Sequence, residues 1–188
     1  MKIWAIILPL LVAACATPVR REVSPADSFF NQFSQICGKS FSGKLVAGDA
    51  SDSAFAQADM RAHVALCEPS KIEIKFDVDE DRSRTWIMSK TPVGLRLKHR
   101  HMLKDGTEDP VSQYGGDTAD LGSATRQQFP VDSYSKEMFT REGRTVSNTN
   151  IWAFEIDPGT SFTYELSRPN RLFRVQFDVS KPLKSAAQ

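Results

Sequence analysis

The feature that most constrains this chain is a period of two in its hydrophobic residues. Ile72, Ile74, Phe76 and Val78 alternate with Lys71, Glu73, Lys75 and Asp77, which puts an apolar set on one face of a strand and a charged set on the other. Phe173, Val175, Phe177 and Val179 alternate with Arg174, Gln176 and Asp178 in the same way, and Trp152, Phe154, Ile156 and Phe162, Tyr164, Leu166 repeat the pattern. One wet face per strand is the mark of an antiparallel sheet. Asp157-Pro158-Gly159 and Arg168-Pro169-Asn170 supply turns, so 150–180 reads as a meander. Further strands are predicted over 39–48, 61–68, 84–90, 94–103 and 123–129, with Pro92 to Gly94 turning one into the next. About nine or ten antiparallel strands result, and twist makes so wide a sheet curl or split. The expected fold is mainly β, an up-and-down barrel in preference to a two-sheet sandwich.

Helical spacing occurs first in Phe29, Phe30, Phe33 and Ile36, between the cap-like Ser24-Pro25 and Gly38, which predicts one amphipathic helix over about 25–37. The strand rhythm also breaks from Asp132 to Glu142, where Tyr134, Met138 and Phe139 suggest a short helix or lid insertion.

The chain opens with Lys2 and an apolar run from Ile3 to Ala14, the layout of an export signal. The run is shorter than the roughly 20 apolar residues that cross a bilayer. Val12-Ala13-Ala14-Cys15 resembles the bacterial lipobox, which implies cleavage after Ala14 and lipidation of Cys15, an anchor of several acyl chains. The alternative is an ordinary secreted or soluble periplasmic protein. Ala16 is not the aspartate that retains such proteins in the inner membrane, so the expected place is the outer membrane, facing the periplasm. The division that follows is 1–14 signal peptide, 15–24 lipidated tether and 25–184 a single domain.

With Cys15 assigned to lipid, Cys37 and Cys67 remain as an even pair in an oxidising compartment and are expected to be bridged; two free thiols, or half of a metal site, are the other readings. The chain carries 24 Lys and Arg against 23 Asp and Glu, and loss of Lys2 with the leader leaves these balanced. No basic surplus points to nucleic acid.

Chemistry is concentrated in Leu95 to Leu103. Period two puts His99 and His101 on the apolar face with Leu95 and Leu97, and Arg96, Lys98 and Arg100 on the other. In a barrel these imidazoles face the lumen, suited to a ligand's polar head, a divalent metal or a haem iron. Asp105, Glu108 and Asp109 in the adjacent turn are the carboxylates that would complete an N/O site, and His63 is a further candidate. The structural reading of both histidines is a hydrogen bond to a neighbouring carboxylate, with no cofactor. Trp86 and Tyr114 are candidate ligand contacts, and Trp86 reads equally as core. Tyr114-Gly115-Gly116-Asp117 reads as a tight loop or bulge, or as a backbone cradle for an anion. The acidic cluster Asp77, Asp79, Glu80 and Asp81 reads as a hairpin tip, since the spacing of a calcium loop is missing. No catalytic set emerges.

Arg84-Thr85-Trp86, Leu97-Lys98-His99, Asp105-Gly106, Glu108-Asp109, Tyr114-Gly115-Gly116-Asp117 and Phe129-Pro130-Val131-Asp132 resemble an uncharacterised family of proteobacterial secreted lipoproteins. That resemblance brings no established activity. The strand pattern is similar to that of lipocalin and other calycin barrels, a likeness of fold alone. Three functions are therefore expected, in this order: a binding module with a small apolar or amphipathic ligand in the lumen, an interaction lipoprotein with a packed barrel, and a histidine-based metal protein or enzyme.

Overall fold

The computed structural model describes residues 23–184. The signal 1–14, Cys15 and the tether up to residue 22 lie outside the described residues, so the lipobox reading rests on the sequence alone.

Helix α1 (Pro25–Ser34) leads into ten strands: β1 (Ser40–Ala47), β2 (Met60–Glu68), β3 (Lys71–Val78), β4 (Asp81–Thr91), β5 (Gly94–His101), β6 (Tyr114–Asp117), β7 (Arg126–Pro130), β8 (Ile151–Asp157), β9 (Ser161–Arg168) and β10 (Arg171–Asp178). Two further helices, α2 (Ser53–Gln57) and α3 (Ser133–Arg141), interrupt them. The strand order is β6-β5-β4-β3-β2-β1-β10-β9-β8-β7, with antiparallel pairing throughout. The sheet is thus a nearly closed up-and-down barrel in which the first and last strands pair, and the break in the ladder falls between β6 and β7.

Glycine makes that seam tight. A Cβ on Gly116 would lie 1.8 Å from the Pro130 carbonyl oxygen, so only glycine lets β6 approach the end of β7. Asp132 donates its N–H to the Gly115 carbonyl at 2.9 Å, and the Gly115 N–H goes to Ser135 Oγ of α3 at 2.8 Å. Tyr114 to Asp117 is therefore a strand, correcting both the loop and the anion-cradle readings. The sequence hid it because glycines replace the alternating side chains that identify the other strands.

Inward side chains build a continuous aromatic core in which Phe41, Phe129, Trp152, Phe154, Phe162 and Phe177 are fully buried. The helix is capped by Ser24, whose Oγ accepts from the Asp27 N–H at 3.0 Å. It drives Phe29, Phe30 and Phe33 inward, and Phe33 meets Phe154 and Phe162 edge-on at ring separations of 5.7 and 5.3 Å. It ends three residues short of the predicted boundary, because Ile36 and Cys37 bond back to Phe33 and Ser34, three residues earlier, in a tightened last turn. Gly38 follows at φ +74°. Cys37 and Cys67 form a disulfide with Cα atoms 6.1 Å apart, joining the α1 exit to β2.

Chain direction gives the barrel two unlike ends. The end holding α1 carries the short β2–β3, β4–β5 and β8–β9 turns and the 118–125 connection. The other end carries the long connections 48–59, 102–113 and 131–150, with α2 and α3.

Candidate functional site

A cavity of about 180 Å³ opens at the loop-bearing end. Strand parity supplies most of its wall. On β4, Arg84 and Trp86 point inward on either side of Thr85; on β5, His99 and His101 do so; Tyr114 opens β6; Tyr164 and Leu166 come from β9 and Phe173 from β10. Asp52 and Phe55, from the 3-10 turn and α2, sit at the mouth beside Arg171.

The floor is a stack of rings. Trp86 lies between Phe76 and Tyr164, with centroids 4.6 and 4.4 Å away and planes within 15° and 23° of parallel. His99 stacks on Tyr114 at 4.6 Å. Their polar atoms are paired with one another. The Tyr114 carbonyl lies 3.1 Å from His99 Nδ1 and can only accept, so Nδ1 carries the proton and Nε2 accepts from the Tyr164 hydroxyl at 2.9 Å. The Tyr114 hydroxyl meets His101 Nε2 at 2.9 Å.

Burial sets the charges. It drives the His99 pKa down to about 3 and lowers that of His101, with Arg84 reinforcing the effect. It pushes the Tyr114 hydroxyl up to about 12 and that of Tyr164 well above its usual value. All four groups are neutral near pH 7. The two guanidiniums of the wall lie beside carboxylates: Arg84 Nη1 is 2.6 Å from Asp81, an ion pair without hydrogen-bond alignment, and Arg171 Nη2 donates to Asp52 at 2.6 Å. The cavity therefore offers aromatic faces and neutral donors and acceptors.

The structure brings His99, His101, Trp86 and Tyr114 together on this one cavity. It does not bring the predicted metal carboxylates to them. Asp105 is occupied by Thr107, Glu108 by Ser112 and Gln113, and Asp109 by the Val111 N–H. His63 faces outward from β2 and bonds to Ser40 Oγ at 2.9 Å. Among the described residues no three of His, Cys, Asp and Glu converge on a point where a metal would sit, and both ring nitrogens of His99 are already engaged. These residues do not fit a divalent metal or haem iron.

Sequence reasoning passed over Tyr164, Arg84, Arg171, Phe55 and Phe173 as site residues. For three of them a signal existed: Phe173 heads an alternating apolar set, and a tyrosine and an arginine at inward positions of alternating strands each need a buried polar partner. Arg171 and Phe55 belong to a strand end and a connection that parity does not orient.

No family model, curated protein or solved structure matches this chain.

Proposed function

We propose that the chain is a lipid-anchored binding module of the outer membrane, facing the periplasm, that holds a small apolar or amphipathic ligand in the loop-end cavity. The observation that carries this reading is a mostly aromatic cavity whose polar groups are all neutral or paired, a surface suited to a flat apolar ligand with one polar substituent. The lumen beyond it is filled by phenylalanines, so the ligand occupies one end and not the whole barrel. A volume near 180 Å³ is close to that of roughly 150 Å³ cavities that take a single benzene-sized ring. His99 and Tyr164 form a donor–acceptor pair at the floor, and His101 with Tyr114 a second one.

The test is native mass spectrometry of the chain purified from periplasm, joined to Trp86 fluorescence during titration with single-ring phenols and indoles. A bound mass below a few hundred daltons, or saturable quenching abolished by the cavity-filling Leu166→Phe, is the expected result. A bare polypeptide mass with no quenching by any probe sinks the proposal. It would favour a second reading, supported by the closely packed α1 end: an interaction lipoprotein whose barrel is a rigid support.

A further inference from the structure

The outer wall of β2–β5 carries a constellation separate from the cavity. Strand register sets His63 opposite Lys75, Lys75 opposite Thr85, and Thr85 opposite Arg100. This is a single row across four strands at the roughly 4.8 Å spacing of neighbouring strands. In the next row Arg61 faces Asp77, and Arg82 lies beyond it. The wall is hollow: these side chains line a concavity of about 590 Å³ with Ser83 and Thr85 among them. Thr85 is only 7% exposed although it points away from the lumen, as expected if the long Lys75 and Arg100 chains on either side lean over it.

Charge in the hollow is one-sided. Among the described residues Asp77 is the single carboxylate lining it, and burial holds that carboxyl above its usual range against the pull of Arg82, Lys75 and Arg61. Arg61 and Arg100 reach carboxylates at the rim, Asp59 at 2.5 Å and Glu73 at 2.9 Å, and Arg82 lies 3.5 Å from Asp77. Lys75 makes no ion pair among the described residues. The opposite wall is built differently. There Arg126 and Arg174 interlock with Glu155 and Glu165 at 2.8–3.4 Å, two cations for two carboxylates. A balanced lattice of that kind presents no demand for an ion, whereas the β2–β5 hollow does.

We propose that this hollow binds a phosphate ester, its oxygens shared between Lys75 and Arg100 above the hydroxyls of Ser83 and Thr85. A phosphate presents three strong acceptor oxygens and close to two negative charges, and the donors here are spread over three neighbouring strands, more widely than one carboxylate's two oxygens reach. Guanidinium forks and an ammonium on rigid strands are the side chains that recognise such a group.

Isothermal titration calorimetry of the full chain with inorganic pyrophosphate, and co-sedimentation with phosphatidylglycerol against phosphatidylcholine vesicles, test it. Saturable binding is expected, weakened at least about tenfold in Lys75→Gln/Arg100→Gln and within about twofold of wild type in Lys44→Gln on the β1 outer surface. Vesicle binding displaced by pyrophosphate assigns the phosphate to a lipid headgroup, and binding of the soluble probe alone assigns it to a soluble ester. No saturable binding in either format, or equal affinity in the double variant with its circular dichroism unchanged, overturns the proposal. The Trp86 cavity titration is indifferent to these substitutions, so the two sites fail or stand separately.

Discussion

At one end of the barrel α1 presses Phe29, Phe30 and Phe33 into the lumen with no polar atom among the three side chains; at the other, two histidines and two tyrosines are buried with their polar atoms paired and a cavity left between them. Both ends are aromatic, yet they respond to different perturbations. Hydrocarbon packing is nearly indifferent to pH and pays for any void by volume. A buried polar set tolerates a void, since its rings and hydrogen bonds hold position, and it depends on protonation state. One end stabilises the molecule, and the other keeps room for something else.

The sharpest way to break this contrast is Phe33→Ala. It is expected to cost about 3–5 kcal/mol in urea unfolding while leaving the affinity of any cavity ligand within about twofold at temperatures where the variant is folded. Loss of ligand binding in the folded variant would show that the ends are not independent. Replacing Cys37 and Cys67 by alanine removes a cross-link spanning 30 positions, also at the α1 end, and is expected to lower stability by about 3–4 kcal/mol, read as a shift in the urea midpoint.

The loop end predicts a pH dependence. Burial holds the His99 pKa down at about 3, below the ordinary 6.5 of an imidazole, so below about pH 6.5 the unfolded chain binds a proton that the native state refuses. The contribution is full above pH 6.5 and is lost as pH falls toward 3. By pH 4 wild type is expected to lose about 3 kcal/mol from this group, and His99→Gln is expected to flatten the profile; parallel profiles would mean that His99 is charged in the folded state. The smallest effect belongs to Tyr164→Phe. Losing the donor to His99 Nε2 is expected to cost about 1–2 kcal/mol of stability, with a several-fold change in cavity-ligand affinity that Phe33→Ala does not produce.

Nine of the ten strands were legible because a half-buried strand must alternate. His99, His101 and Trp86 were legible as inward-facing for the same reason, without any knowledge of their partners. What parity lacks is height along the barrel and identity across it. Tyr164 meets His99 from 65 positions away, and Arg171 meets Asp52 from 119; such pairings exist only once β1 has met β10 and the sheet has closed. The two glycines of β6 were visible, but the Pro130 carbonyl that requires Gly116 lies on a strand not bonded to it. The α2 segment carries no period of either kind; it meets the barrel at β1 and through an edge-on pair of Phe55 and Phe173 at 5.1 Å.

The pairing of β1 with β10 places the first and last described strands side by side, while among the described residues the ladder is open only between β6 and β7, in mid-sequence. The order in which the chain visits the barrel is therefore not the order in which the barrel is held shut. A gene rearranged to join the end of β10 to the start of α1 by a linker and to begin within 118–125 would leave every strand ladder intact. Its new termini would fall where the backbone already lets go. Such a permuted chain would convert the oldest question about a closed barrel, where it begins, into a matter of cloning.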